Sequence, residues 1–292
     1  NTNISKKYKT ILITGGAGFI GGNLINELLL NSDSKIINVD KLGYASDLTK
    51  LEVTKKELGL YFEKRYKFVN LDLKKPSGLD PILNQYQPDL IFNLAAESHV
   101  DKSIINPFHF IESNILGTFN LLESVKSYLK IFPEKNKTFK LVHISTDEVF
   151  GSLGKNGFFN EHSKYKPNSP YSASKASSDH LVNAWQKTYD IPAIITNCSN
   201  NYGPWQFPEK LIPLTIIKAS KLEPIRIYGN GENVREWIYV FDHIEGLISV
   251  ANNGENGKTY CIGSNNTITN NDLVKNICNI LDFLEPNVCT IK

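Results

Sequence analysis

TILITGGAGFIGGNLINELLL (10–30) is the stretch that decides the fold. A short apolar run, TILIT (10–14), stops at a glycine cluster, and the chain then resumes with the apolar spacing of a helix, INELLL (25–30). Gly15, Gly18 and Gly21 stand at G-x-x-G-x-x-G across that junction. Glycine suits each place for its own reason: a tight turn, close approach of the backbone to a pyrophosphate, and tight packing of helix on sheet. The helix N-terminus then presents unpaired N–H groups to the phosphates. A glycine motif alone is weak, but a strand before it and a helix after it supply the context that gives it meaning. A second buried strand, KIINVD (35–40), ends in Asp40. That is close to the ~20 residues at which a carboxylate meets the ribose hydroxyls of a dinucleotide. A carboxylate there favours NAD over NADP, whose extra phosphate it repels. Lys41 beside it is within reach of a phosphate, which leaves NADP as the alternative.

Working outward, the alternation continues. KFVNLDL (67–73), DLIFNLAA (89–96), KLVHIST (140–146) and PAIITNC (192–198) read as strands, with helical spacing over 108–130 and 171–189. Near-continuous apolar strands separated by helices imply a parallel sheet covered on both faces. The expected class is therefore α/β, a doubly wound, Rossmann-type parallel sheet. After residue 200 the texture changes to NNYGPWQFPEK (200–210) and shorter elements: strands at PIRIYG (224–229), REWIYV (235–240) and GKTYCIG (257–263), helices near 241–252 and 270–284. We expect a dinucleotide-binding unit over 1–200, to which the chain returns at about 236–262, and a smaller substrate-binding region over 201–292. Residues 44–66, apart from a short helix, and 151–168 read as polar loops, the kind of long loop that often forms a lid.

Composition narrows the function classes. The 292 residues carry 32 Lys+Arg against 30 Asp+Glu, too balanced for a nucleic-acid surface. The four cysteines, Cys198, Cys261, Cys278 and Cys289, show no C-x-x-C spacing, which argues against a disulfide scaffold or zinc ribbon. No apolar run approaches the ~18 residues of a membrane span, and the first residues do not read as a signal peptide. A soluble cytoplasmic α/β protein with no metal and no membrane or nucleic-acid partner is expected; the histidines do not cluster.

YSASK (171–175) places Tyr171 and Lys175 at i, i+4, on one helix face. A phenol ionises near ~10, and a neighbouring ammonium brings it towards use as an acid/base. The spacing arises by chance in many helices. It gains meaning from the nucleotide fold and from the hydroxyls of Ser145 and Thr146 at the C-terminal end of a strand, where open α/β sheets hold ligands.

TGGAGFIGG (14–22), YSASK and the upstream Ser/Thr resemble the extended short-chain dehydrogenase/reductase family of nucleotide-sugar enzymes. NVDKLGYAS (38–46), LAAESHVDKSI (94–104), STDEVFG (145–151), NCSNNYGPWQFPEKLIPL (197–214) and GENVREWIYVFDH (231–243) are similar, block by block, to the dTDP-glucose 4,6-dehydratases. That resemblance implies a bound NAD, oxidation at sugar carbon 4, loss of water across carbons 5 and 6, and return of the hydride to carbon 6. It implies Tyr171 as base for carbon 4, Lys175 holding the ribose and lowering the tyrosine pKa, Thr146 on the 4-hydroxyl, Asp147 as general acid and Glu148 as general base. Two carboxyls with opposed protonation need different surroundings. Asp147 must keep its proton, so burial or a neighbouring negative charge should raise its pKa.

By the same resemblance, NAD is lined by Gly15, Gly18, Phe19, Ile20, Gly21, Asp40, Lys41, Leu42, Asp72, Leu73, Leu94, Ala95, Ala96, Ser113 and Asn200, besides Tyr171 and Lys175. Glu97 and Ser98 face the sugar. Asn201, Lys210, Leu211, Arg226, Ile227, Tyr228, Arg235 and Asn266 hold the nucleotide; a guanidinium such as Arg235 clamps a diphosphate bidentately. Three positions depart from the family pattern: Trp205 for Tyr, Glu236 for Asp and Phe241 for an acid. The family pattern also continues past FLEPNVCTIK (283–292) into an Arg-Pro-Gly-His-Asp segment. The expectation is a shortened chain or a nucleotide pocket without that part. The family forms dimers through a four-helix contact, which implies a homodimer built on 108–130 and 171–189. A UDP-glucose dehydratase, a 4-epimerase or decarboxylase, and a silent NAD-binding protein are the competing readings; Asp147-Glu148 speaks against the epimerase or decarboxylase, and the intact set of Thr146, Asp147, Glu148, Tyr171 and Lys175 against the silent protein.

Overall fold

A computed structural model describes residues 4–153, 157–227 and 229–284. From the N-terminal side come α1 (Ile4–Lys7), β1 (Thr10–Thr14), α2 (Phe19–Asn31), β2 (Lys35–Asp40), α3 (Glu52–Leu58), α4 (Leu60–Arg65), β3 (Tyr66–Asn70), α5 (Asp80–Tyr86) and β4 (Leu90–Asn93). Then follow α6 (Val100–Ile105), α7 (Pro107–Phe110), α8 (Gly117–Ile131), β5 (Lys140–Thr146), α9 (Pro170–Tyr189) and β6 (Ala193–Cys198). The remainder is β7 (Asn200–Tyr202), α10 (Leu211–Ser220), β8 (Val234–Tyr239), α11 (Val240–Asn253), β9 (Thr259–Ile262), β10 (Thr267–Thr269) and α12 (Asn270–Leu284).

Seven strands form one sheet in the order β3-β2-β1-β4-β5-β6-β9, every pairing parallel. The first six follow the doubly wound order, and the strand order reverses between β1 and β4, which places the ligand crevice there. Alternate residues of a strand face opposite sides. Thus Ile11, Ile13 and Val142 pack against α2 and α11 through Leu24, Leu28, Ile244 and Leu247. Leu12, Ile91 and Leu141 pack on the other side against α5, α8 and α9 through Leu83, Leu121, Val125 and Val182. Late in the chain, β9 pairs with β6. A second sheet, β10-β8-β7, antiparallel between β10 and β8 and parallel between β8 and β7, carries Arg235 in β8.

Four expectations need correction. Residues 44–66 hold a 3-10 turn (Thr49–Leu51) and both α3 and α4, because Leu51 and Phe62 reach the core beneath a lysine-rich surface. The strands expected at 67–73 and 89–96 end at Asn70 and Asn93; the chain beyond each leaves the sheet to wall the crevice. Residues 224–227 form no strand; Ile225 and Ile227 pack against the α10–α12 cluster instead. The helix expected over 108–130 is interrupted by a π-helical turn, Ile111–Leu116. Such turns often mark functional positions. Here the turn aims Asn114 inward, where it accepts from Glu97 N at 2.8 Å and donates to Glu97 O at 3.0 Å and Ser174 Oγ at 2.8 Å.

Candidate active site

The crevice between β1 and β4 opens into a cleft of about 600 Å³. At its floor, Gly15 has φ +71°, and a Cβ there would lie 2.7 Å from Ala95 N. Gly21 has no room for a Cβ because of Gly15 O, while Gly18 meets only Gly15 O, at 3.1 Å. Glycines 15 and 21 therefore serve the turn and the helix contact, and Gly18 bares its backbone to the cleft. Asp40, at the end of β2, accepts from Ala17 N at 3.0 Å, Leu42 N at 2.7 Å and Ser46 Oγ at 3.1 Å. A carboxylate has about four acceptor sites, so it can still take a ribose hydroxyl. This cradle fits a dinucleotide.

At the far end of β5, Thr146 pairs in register with Cys198. Its hydroxyl donates to Asp147 Oδ1 at 3.3 Å and accepts from Glu148 N at 3.2 Å. Burial first, then the like charge of Glu148, raises the Asp147 carboxyl to about 7. Burial also raises Glu148, and the charges of Arg235 and Lys210 oppose that rise. Opposite them stands Tyr171 in the first turn of α9. A capping box starts that helix: Ser169 Oγ accepts from Ser172 N, Ser172 Oγ accepts from Ser169 N, and Pro170 occupies the first turn. The geometry so far offers a dinucleotide cradle, a phenol and two carboxyls on one sugar-sized space.

The sequence-predicted residues converge on this cleft with a few exceptions. Gly15, Gly18, Phe19, Ile20, Gly21, Asp40, Lys41, Asp72, Leu73, Leu94, Ala95, Ala96, Glu97, Ser98 and Ser113 line it. So do Thr146, Glu148, Tyr171, Lys175, Asn200, Asn201, Lys210, Leu211, Arg226, Ile227 and Arg235. Leu42 turns outward with φ +58°, and its contribution is the backbone N–H on Asp40. Asn266 is exposed, and its carbonyl accepts from Trp237 N, holding the edge of β8 rather than the cleft. Asp147 lies just behind the lining, against Thr146. Tyr228 falls outside the described residues.

Three side chains do something other than expected. Lys175 donates to Ile144 O at 2.8 Å; burial, then Glu148, pushes the Tyr171 phenol well above its ordinary value, with Thr146 opposing. Glu97 gives its carboxylate to Lys41 at 2.7 Å and His109 at 3.2 Å rather than to the sugar space. The Asn201 amide is committed to His243 at 2.8 Å and Ser199 O at 3.0 Å, and its backbone carbonyl accepts from Gln206 Nε2 at 2.9 Å. Of the departures, Glu236 accepts from Ser264 N and Asn265 N, and Phe241 packs its ring 5.5 Å from Tyr239.

Sequence reading missed two features. Tyr44 Oη donates to Glu209 Oε1 at 2.7 Å, and Lys102 reaches Glu209 Oε2 at 3.2 Å, strapping the mouth of the cleft across two loops. Beneath the site, buried Asp179 accepts from Ser145 Oγ at 2.7 Å and Tyr165 Oη at 2.8 Å, and faces His143 Nε2 at 3.3 Å. No local pattern signals either, since the partners are distant in sequence; Asp179, four residues beyond Lys175, was the one available clue. Among the described residues no group of three or more His, Cys, Asp or Glu could hold a metal, and no helix is long and apolar enough to cross a membrane.

Comparison with known proteins gives the family. The GDP-mannose 4,6 dehydratase family model matches residues 12–285. The dTDP-glucose 4,6-dehydratase of Neisseria gonorrhoeae is 48% identical over 280 residues, covering 95% of this chain and 79% of that one. The chain belongs to the dTDP-glucose 4,6-dehydratase family. Solved members of the family superpose closely. The Streptomyces venezuelae enzyme, determined with NAD bound, has a TM-score of 0.84 at 38% identity over 94% of this chain and 81% of that one. The Bacillus anthracis enzyme in complex with NAD has a TM-score of 0.82 at 41% identity over 93% and 81%.

Proposed function

We propose that this chain dehydrates dTDP-glucose to dTDP-4-keto-6-deoxyglucose with a retained NAD. The observation that carries the reading is the Asp147–Glu148 pair facing Tyr171. An epimerase needs one base at the 4-hydroxyl; a dehydratase needs in addition a base for the carbon-5 proton and an acid for the departing 6-hydroxyl. When bound, NAD supplies the two-electron acceptor for carbon 4 and the donor for carbon 6. Tyr171 takes the carbon-4 hydroxyl proton as its phenolate, the form that Thr146 at its hydroxyl and the Lys175 ammonium four residues on in α9 favour. Glu148 takes the proton from carbon 5, made acidic by the new ketone. Asp147, protonated up to about pH 7, gives its proton to the leaving hydroxyl. Asp40 accepts from the cofactor ribose, Lys175 holds the ribose at the other end, and Arg235, Arg226 and Lys210 take the substrate diphosphate.

The unit over 1–200, with its return at 236–262, holds the cofactor, and 201–292 holds the nucleotide. The described cysteines are free thiols, in keeping with a cytoplasmic enzyme. A homodimer accounts for the apolar side chains left exposed on α7, the π-helical turn and α8: Phe108 at 64%, Ile111 at 48%, Leu116 at 39% and Phe119 at 37%. The test is incubation of purified protein with dTDP-glucose and, separately, UDP-glucose, followed by mass spectrometry. Loss of one water from dTDP-glucose supports the reading; loss from UDP-glucose alone reassigns the base; no loss from either with NAD present refutes it.

A further inference from the structure

Gly22, the last glycine of GGAGFIGG, lies outside the G-x-x-G-x-x-G spacing, yet a Cβ there would run into the Lys50 side chain. Lys50 projects from the 3-10 turn Thr49–Leu51, is only 3% exposed, and donates from Nζ to Gly18 O at 2.6 Å. Its position is costly. A cation at the start of α2 faces the positive end of the helix dipole, the reverse of the stabilising arrangement. Burial adds the loss of hydration. The charged groups set against it are Asp47 on its own loop and Asp40 at the end of β2. Both carboxylates are engaged elsewhere, Asp47 with Thr49 and Asp40 with Ala17, Leu42 and Ser46. Burial outweighs them and brings the ammonium down to about 8. What the arrangement offers in return is a positive charge directly behind Gly18, the residue whose backbone is bared to the cleft.

We propose that Lys50 is a cofactor-holding residue, its buried ammonium acting from beneath the glycine turn as counter-charge to the dinucleotide diphosphate. The inference rests on the NAD reading above. Lys50 acts through the field rather than by contact: its ammonium is buried against Gly18 O, where a charge is screened less than in open water. Gly22 leaves the room its side chain needs. A bound diphosphate strengthens the ammonium's hold on its proton. NAD therefore binds most tightly below about pH 8 and loses affinity as the free ammonium deprotonates above it.

The test is calorimetric titration of NAD and of adenosine, which lacks the diphosphate, into the full chain, Lys50→Met and Lys50→Gln, each first freed of retained NAD, at pH 7 and pH 9, with ligand-free thermal melts alongside. Expected are an NAD affinity about tenfold lower in both variants at pH 7, unchanged adenosine affinity, no remaining pH dependence and no fall in ligand-free Tm. Unchanged NAD affinity in Lys50→Met overturns the inference while leaving the NAD reading intact. So does restored affinity in Lys50→Gln, which keeps a donor for Gly18 O without the charge. Equal losses for adenosine and NAD with a lower Tm would make Lys50 a structural prop and overturn it too. A parent chain that binds no NAD would overturn both readings.

Discussion

Asp147 has to hold a proton at neutral pH, and two physical causes let it: burial and the carboxylate of Glu148 next in the chain. Its use as an acid predicts that kcat falls as pH rises through about 7, measured as product formation across pH 5.5–9. Asp147→Asn is predicted to lower kcat by about 10²- to 10⁴-fold, the range of general acid catalysis. The same burial has a cost in stability. A carboxyl whose folded pKa of about 7 exceeds its ordinary value of 3.8 holds its proton more tightly when folded. That favours the fold at low pH, and the benefit is lost as pH rises through about 7, leaving a buried charge. Asp147→Asn should therefore raise the unfolding free energy at pH 8 by up to about 4 kcal/mol, at ~1.4 kcal/mol per pKa unit, and change it little at pH 4. Urea unfolding at the two pH values checks this. An equal effect at both would remove the electrostatic cause.

At the scale of elements, the glycine turn and α9 set the site, and both were readable. Strand, glycines and helix follow each other in one continuous stretch, and Gly15 is held by φ +71° and by Ala95 N. Gly15→Ala is predicted to abolish retention of NAD through purification and to lower Tm, because both the turn and the adjoining β4 end must shift. Tyr171 sits in the first turn of α9, where the Ser169–Ser172 box fixes the backbone. Ser169→Ala should cost about 1 kcal/mol in chemical denaturation and lower kcat more than KM, since the phenol loses its rest position. What local pattern did not reveal was the fine placing of side chains. The spacing of 108–130 is equally apolar for an unbroken helix, and only the Asn114 contacts with Glu97 and Ser174 require the π-helical turn. Likewise i, i+4 spacing put Tyr171 and Lys175 on one face, but the choice of Lys175 for Ile144 O belongs to β5, which that spacing does not see.

The whole molecule adds what no single element holds. The doubly wound class followed from period and motif, since parallel strands buried on both faces leave few topologies, and the gathering of most predicted residues on one cleft followed from the family resemblance. The strap from Tyr44 to Glu209 and the Lys50–Gly22 fit depend on which loops meet, and were not legible. Beyond the single chain, the exposed apolar side chains on α7 to α8 predict association. Ile111→Glu should convert a dimer into a monomer in light scattering; a parent chain that is already monomeric at micromolar concentration would contradict that. The central claim is an internal redox cycle around an elimination. It is tested most directly by dTDP-glucose carrying deuterium at carbon 4, incubated with the purified protein and followed by mass spectrometry and NMR. The account predicts a product lighter by one water with the deuterium on carbon 6. A product that keeps its water, or that has lost the deuterium to solvent, would contradict it.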